Sequence, residues 1–460
     1  MSDIARLIRR YFDEDQQVKA WFAVNTALNE DPESPELLYL AGAILREQGH
    51  IGMALPLLAK ALSYEQRQSS LWMHYAATLH DLNEWDDAIK AFMVVHTMLP
   101  KDAMPPANIA ATMTQKGKWN EALNWVAKAI ALDPENYIAH ISGSFACLAL
   151  GRWKEGWDHS KWLHSHHLVT RIYNDKENEE PSWDGEPMKT VVVQCDQGIG
   201  DIIMYAQCIP QLEAACDTVI MECADRLVSL IKRTFPNVHV FGTLKDEGQS
   251  WSHQFKIDAH VHISALPRFF RQKDSEFPRK AYLTPDPEIV EKWKEWLSDK
   301  PRPWIGLSWQ GGIQNTQKHL RTLALADLAP VMEQEGTFID LSYKDNSKEV
   351  GIWNAKGLAQ VIIPPIDQED YEDTLALVSV LDEVVTVTTA LVHACGALGR
   401  TARVLVPEVP MWRYAHRCGD GMIWYPEGSV HMYRKAHGET WASTIKRLSN
   451  DMKPRLQLVA

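Results

Sequence analysis

The residues best placed to do chemistry lie in one short run, Cys195-Asp196-Gln197-Gly198-Ile199-Gly200-Asp201, between an apolar segment (Thr190 to Cys195) and a helical stretch beginning near 201. A strand that turns through glycine into a helix presents unpaired backbone N–H groups at the helix N-terminus, and such groups hold anions. The Gly198-Ile-Gly200 pair lacks the third glycine of a dinucleotide loop and the Gly-Lys-Ser/Thr of a P-loop, so neither a dehydrogenase nor a P-loop ATPase is supported. Other clusters carry less. Asp13-Glu14-Asp15 has the Asp-x-Asp form of metal-dependent transferases but falls in a helical repeat, far from any strand end. His159, His164, His166 and His167 do not repeat a ligand pair on two facing elements and read as a helix face rather than a metal site. The seven cysteines are odd in number, form no Cys-x-x-Cys pair and sit mostly in apolar runs, which suits reduced, buried thiols.

The elements that must position the loop are read from periodicity. Apolar runs at 190–195, 218–223, 238–241 and 258–263 alternate with helical stretches. The pattern restarts at 304–309 and continues through 337–342, 359–363, 383–387 and 403–406, with a last helix over roughly 439–451. Such alternation implies parallel sheets with right-handed crossovers, here two doubly wound halves, with ligands outside the carboxyl ends of the strands. Asp370 and Asp373 precede a helical stretch at 374–381 and read as caps.

Residues 1–170 obey another rule. At a period of 34 residues Ala20, Ala54, Ala88, Ala122 and Gly156 share a column, as do Ala27, Ala61, Val95, Ala129 and Leu163, and Pro32, Gln66, Pro100 and Pro134 form a third. With Trp72 and Phe92 at their places, the pattern resembles the tetratricopeptide repeat (TPR). Each unit is a pair of helices; small residues let neighbours approach, and proline stops the second helix. Five stacked units build an α-solenoid with a concave surface suited to a protein or peptide partner. Residues 171–187 turn acidic and proline-containing and mark a linker, with Trp183 its anchor on the next domain. The domains expected are therefore 1–170, 188–300 and 301–460.

Bulk numbers agree. A chain of 460 residues exceeds one ordinary core, and no apolar run approaches the roughly 20 residues of a membrane helix. The N-terminus shows no secretory apolar stretch, so a soluble cytoplasmic protein is expected. A formal charge of −13, spread over both blocks, argues against a polybasic nucleic-acid binder.

Several segments of 188–450 occur in the order found in one enzyme group: Gln197-Gly-Ile-Gly-Asp201, Ile305-Gly-Leu-Ser-Trp-Gln-Gly-Gly312, Arg321-Thr-Leu, Val387-Thr-Thr-Ala-Leu-Val-His-Ala-Cys-Gly-Ala-Leu-Gly-Arg400, and Pro407 followed by Trp412-Arg413. This region resembles the family 9 glycosyltransferases of the GT-B fold, which include the lipopolysaccharide heptosyltransferases. The resemblance implies inverting, metal-independent transfer from a nucleotide-diphosphate sugar, with the acceptor on the N-terminal half, the donor on the C-terminal half and no further cofactor. Asp201 matches the family's base, though an aspartate there also makes a good N-cap; Asp196 is the reserve. Arg321 matches the phosphate-binding cation, with Lys318 in the same loop, and Thr388 and Thr389 open a helix that could hold phosphates or sugar. Gln197, Gly198, Gly200, Gln310, Tyr343 and Trp412 complete the expected substrate contacts, with His393 either a donor contact or a helix-interior histidine. Thr388 stands where the family usually has aspartate, which points either to a different donor sugar or to a domain that has lost catalysis.

The function expected is thus sugar transfer to an acceptor hydroxyl, first of all on a protein recruited by the repeats. A glycan or a hydroxylated DNA base is the alternative acceptor, the latter on the strength of Arg268-Phe-Phe-Arg-Gln-Lys-Asp-Ser-Glu-Phe-Pro-Arg-Lys280, which interleaves cations with aromatics; its other reading is a mobile surface loop. A non-catalytic TPR scaffold with a degenerate cleft is the alternative from another class.

Overall fold

A computed structural model describes residues 3–165, 181–195, 197–242, 251, 254–312, 318–357, 359–367, 370–415 and 419–456. Contacts divide the chain into two units, Met1–Leu150 and Gly151–Ala460.

The first unit is a helical solenoid of TPR type. Its helices are α1 Asp3–Asp13, α2 Gln17–Glu30, α3 Pro35–Glu47, α4 Ile51–Tyr64, α5 Ser69–Asp81, α6 Trp85–Met98, α7 Met104–Gln115, α8 Trp119–Leu132 and α9 Tyr137–Ala149. The second helices of successive pairs start one period apart, at Gln17, Ile51, Trp85 and Trp119. Ala20, Ala54, Ala88 and Ala122 are fully buried where hairpins pack closest. Each turn between paired helices holds one residue at positive φ in a fixed column: Asp15, Gly49, Asn83 and Gly117. That left-handed step suits Gly, Asn and Asp, and it reverses the chain in a few residues.

The second unit opens with α10 Trp153–Ser165. The 34-residue period makes this helix the end of a fifth repeat, yet its contacts lie with the α/β region. Trp153 Nε1 donates to Asp274 Oδ1 at 2.6 Å and Trp157 Nε1 to the Arg271 carbonyl at 2.8 Å. The boundary by contacts therefore falls at 150/151, where the repeat pattern alone places it at 170.

Next come β1 Met188–Gln194, α11 Ile199–Ala206, α12 Ile209–Ala215, β2 Cys216–Cys223, α13 Val228–Thr234, β3 His239–Gly242, β4 Ala259–His262, α14 Pro267–Phe270 and α15 Pro287–Leu297. After them run β5 Trp304–Ser308, α16 Ala329–Met332, β6 Thr337–Asp340, α17 Ser347–Asn354, β7 Val361–Ile362, α18 Tyr371–Val380, β8 Glu383–Val387, α19 Ala390–Leu398, β9 Thr401–Val406, α20 Trp412–Ala415, β10 Val430–Arg434 and α21 Trp441–Leu456. All pairings are parallel, in a four-stranded sheet ordered β3-β2-β1-β4 and a six-stranded sheet ordered β10-β9-β8-β5-β6-β7. The order reverses between β1 and β4 and between β5 and β8, and crevices for ligands open at such reversals. The nine strands expected from apolar runs are present. β10 was not expected, because Val-His-Met-Tyr-Arg mixes polar and apolar residues and comes after a glycine-rich stretch. Of the two expected caps, Asp370 caps α18, accepting from the Glu372 amide at 2.9 Å, whereas Asp373 lies inside its first turn and accepts from Trp293 Nε1 at 2.7 Å. No described helix is long and apolar enough to cross a membrane.

Candidate functional site

The turns after β1, β5 and β8 converge. Gly198 is the N-cap of α11, and its carbonyl accepts from the amides of Asp201 at 2.9 Å and Ile202 at 3.0 Å. Asp201 is therefore the third residue of the helix and not its cap. Its carboxylate serves elsewhere: Arg413 Nη2, just inside α20, donates to Asp201 Oδ1. Burial alone would lower the Arg413 pKa, but the carboxylate beside it turns the net shift upward.

Opposite lies the start of α19. Thr389 is its N-cap and makes no side-chain cap bond; its hydroxyl sits 3.2 Å from that of Thr386. The N-terminal turns of α11 and α19 touch at Gly200, where an added Cβ would lie 2.9 Å from His393 Cδ2 and 3.1 Å from Ala390 Cα. Only a glycine allows that approach without displacement. Two helix N-termini, one from each sheet region, thus meet, which favours bound negative charge, and the Asp201 carboxylate beside them is paired with Arg413.

His393 is buried, with Nδ1 2.9 Å from the Tyr425 hydroxyl and Nε2 3.0 Å from the Tyr414 hydroxyl. Burial, and then the Arg413 charge, hold its pKa well below the ordinary range, so the ring is neutral and donates to one tyrosine while accepting from the other. Of its two readings, the structure favours the helix-interior one.

Arg321 ends a 3₁₀ turn, Lys318–Arg321, and its Nη1 donates to the Thr388 carbonyl. Gly311 makes room for that turn, since a Cβ there would lie 2.8 Å from Arg321 Cγ. Burial lowers the Arg321 pKa and Arg413 adds to the effect, so two guanidinium groups share one electrostatic neighbourhood. Lys318 is on the same turn, and the neighbouring Lys344 ammonium lowers its pKa. Thr388 is buried in the turn between β8 and α19. Tyr343 is half-exposed and donates to the Gly312 carbonyl at 3.1 Å, with Lys344 Nζ 5.6 Å from its ring centre.

Two expected contacts serve other ends. Gln310 Nε2 donates to Asn346 Oδ1 at 3.0 Å, which ties it to the side chains that come after β6. Trp412 is buried edge-on against Trp157, with ring centres 5.5 Å apart, so it anchors α10 while its neighbour Arg413 reaches the carboxylate. Gln197 is half-buried beside Gly198. Asp196, His166 and His167 lie outside the described residues, and among those described no group of three His, Cys, Asp or Glu side chains could hold a metal. Arg413, Tyr414, Tyr425 and Lys344 were missed; only Arg413 had a signal, as the last residue of the Trp-Arg motif.

The segment at 268–280 is largely surface chain held at a few anchoring side chains. Arg271 is fully buried and donates to Gln211 Oε1 at 2.8 Å and to the Gln207 carbonyl at 2.9 Å. Phe277 packs between Trp153 and Trp424, each 4.9 Å away, and Phe269 packs on Trp183 at 4.7 Å. Phe277 is thus committed to a core and not to stacking bases, Phe269 and Phe270 stay half-buried, and residues 272–275 and 278–280 are exposed.

The class of protein defined by these features is a TPR-type solenoid joined to a two-sheet parallel α/β unit with a polar cluster where its helix N-termini meet. No protein-family model matches the chain. It is 24% identical to Protein FlbA of Caulobacter vibrioides, an alignment that covers 98% of this chain and 78% of that protein. Among solved structures, MamA from Desulfovibrio magneticus RS-1 is 20% identical with a TM-score of 0.31, covering 36% of this chain and 94% of that one. YrrB, described as a TPR protein with an unusual peptide-binding site, is 16% identical with a TM-score of 0.30, covering 36% and 84%.

Proposed function

We propose that residues 151–460 form a GT-B glycosyltransferase and that the solenoid recruits its acceptor, first of all a protein. The observation that carries this reading is the meeting at Gly200 of the α11 and α19 N-termini, with Asp201 on one side and Arg321 on the other. In inverting transfer the acceptor oxygen attacks the anomeric carbon as its proton passes to a carboxylate, here Asp201, and the bond to the departing diphosphate breaks. The charge gathering on that leaving group is met by Arg321, by Lys318 and by the first amides of α19. Arg413 fixes the orientation of the Asp201 carboxylate, and His393, clamped by two tyrosines, keeps α19 in register against α11. The six described cysteines are buried thiols, which suits a reducing, cytoplasmic setting.

A specific observation also favours a second reading, a scaffold without catalysis: the Asp201 carboxylate is already occupied by Arg413, and Thr388 replaces the aspartate of the resembled family. The two separate on incubation with a panel of nucleotide sugars, with and without cell extract, monitoring nucleotide release. Release that disappears in Asp201→Asn supports the transferase. No release, together with no thermal shift by any nucleotide, supports the scaffold.

A further inference from the structure

The first repeat carries an apolar patch that its successors lack. On α2, Val18 and Phe22 are 82% and 74% exposed. The same columns in later units hold Gly52 and Pro56, Asp86 and Lys90, Asn120 and Asn124, and Lys154 and Asp158, so only here do both positions carry large apolar side chains. On α1, Ile4 and Leu7 are 40% and 37% exposed, whereas their equivalents on α3, Leu38 and Ala41, are 3% and 0% exposed. With Tyr11 and Leu37 these four line a groove of about 840 Å³. Exposed apolar side chains gathered in one groove, and not scattered singly, mark a contact surface.

The charges at its ends select the occupant. Lys19 lies at one end of the α2 stretch of the groove and Glu30 and Asp31 at the other, with Glu36 beside them. We propose that the groove seats a second copy of this chain, with α2 of one protomer antiparallel to α2 of its partner about a twofold axis near residue 24. That register sets Lys19 against the opposite Glu30 twice over, and it sets the bulky Phe22 against the small Ala27 and Ala23 against Thr26. Because α1 and α2 run antiparallel within the hairpin, Val18 then approaches the opposite Ile4. An isologous contact needs one self-complementary patch, and this one pairs large with small and plus with minus across its own centre. A purely acidic or purely apolar groove would instead suit a foreign helix.

The test is sedimentation equilibrium or light scattering of the full chain across a micromolar concentration range. A concentration-dependent monomer–dimer equilibrium is expected. Phe22→Glu, at a solvent-facing position that leaves the circular dichroism unchanged, should raise the dissociation constant roughly a hundredfold or more, since two phenylalanines leave the contact. Lys19→Glu should weaken the dimer about fivefold or more, and Lys19→Glu combined with Glu30→Lys should restore it. A monomer at every concentration, a dimer indifferent to Phe22→Glu, or a monomer that uses Phe22 to bind a different protein would overturn the proposal. None of these readouts depends on the enzymatic reading.

Discussion

Removing the cation beside Asp201 should expose how strongly the site depends on that pair. Arg413→Met leaves the Asp201 carboxylate without its donor, and Asp201→Asn leaves the guanidinium without its counter-charge. Splitting a fully buried pair costs about 3–5 kcal/mol, but here the two side chains keep 16% and 23% of their exposure, so water softens the loss to about 2–3 kcal/mol for Arg413→Met and somewhat less for Asp201→Asn. The double variant leaves neither charge stranded and should lose no more than either single change, a coupling of about 2 kcal/mol, or roughly thirtyfold in the folding equilibrium. The assay is urea unfolding of all four proteins, with the transition of the 151–460 unit tracked separately because two units need not unfold together. Nucleotide release on the same four proteins asks the functional question: activity absent in both variants carrying Asp201→Asn, and reduced in Arg413→Met. Additive losses, with coupling below about 0.5 kcal/mol, would refute the claim that the pair is a single unit.

Gly200→Ala forces a methyl to within 2.9 Å of His393 Cδ2, so the two helix N-termini must part. Overpacking of about 1–3 kcal/mol outweighs the helix propensity that alanine gains, and the melting temperature should fall, with nucleotide affinity reduced more than global stability if the anion lies between the two turns. Glu222, buried on β2, has its carboxyl pushed from 4.5 to about 7 by burial. A folded-state value above the unfolded one means stability that is complete below about pH 4.5 and lost as pH rises through about 7. Glu222→Gln should therefore stabilise the unit by up to about 3 kcal/mol near pH 8 and change little near pH 4, as read by thermal melts at the two values.

Much of the fold is legible in the amino-acid order. Short-range rules govern the repeats: the alanine columns and the period need only hairpin packing between near neighbours, and their helices begin in step at Gln17, Ile51, Trp85 and Trp119. The column of Asp15, Gly49, Asn83 and Gly117, whose shared tolerance of positive φ marks the turns within these hairpins, is a further short-range signal. Strand and helix alternation likewise implies the parallel architecture, because buried strands write continuous apolar runs. Trp412 and Gln310 show the limit. Each sits inside a motif, but which neighbour a side chain meets depends on α10 and on the residues after β6, elements far away along the chain.

The amino-acid order alone determined where the chain coils, where it extends and which loops lie at strand ends, since those depend on the pattern of apolar, small and turn-forming residues within a few positions. Tertiary structure alone decided that Asp201 pairs with Arg413, 212 residues later, that His393 bridges two tyrosines, and that Phe277 belongs to a core. Charge pairing and burial arise from contacts between distant segments, and those contacts leave no trace in local spacing.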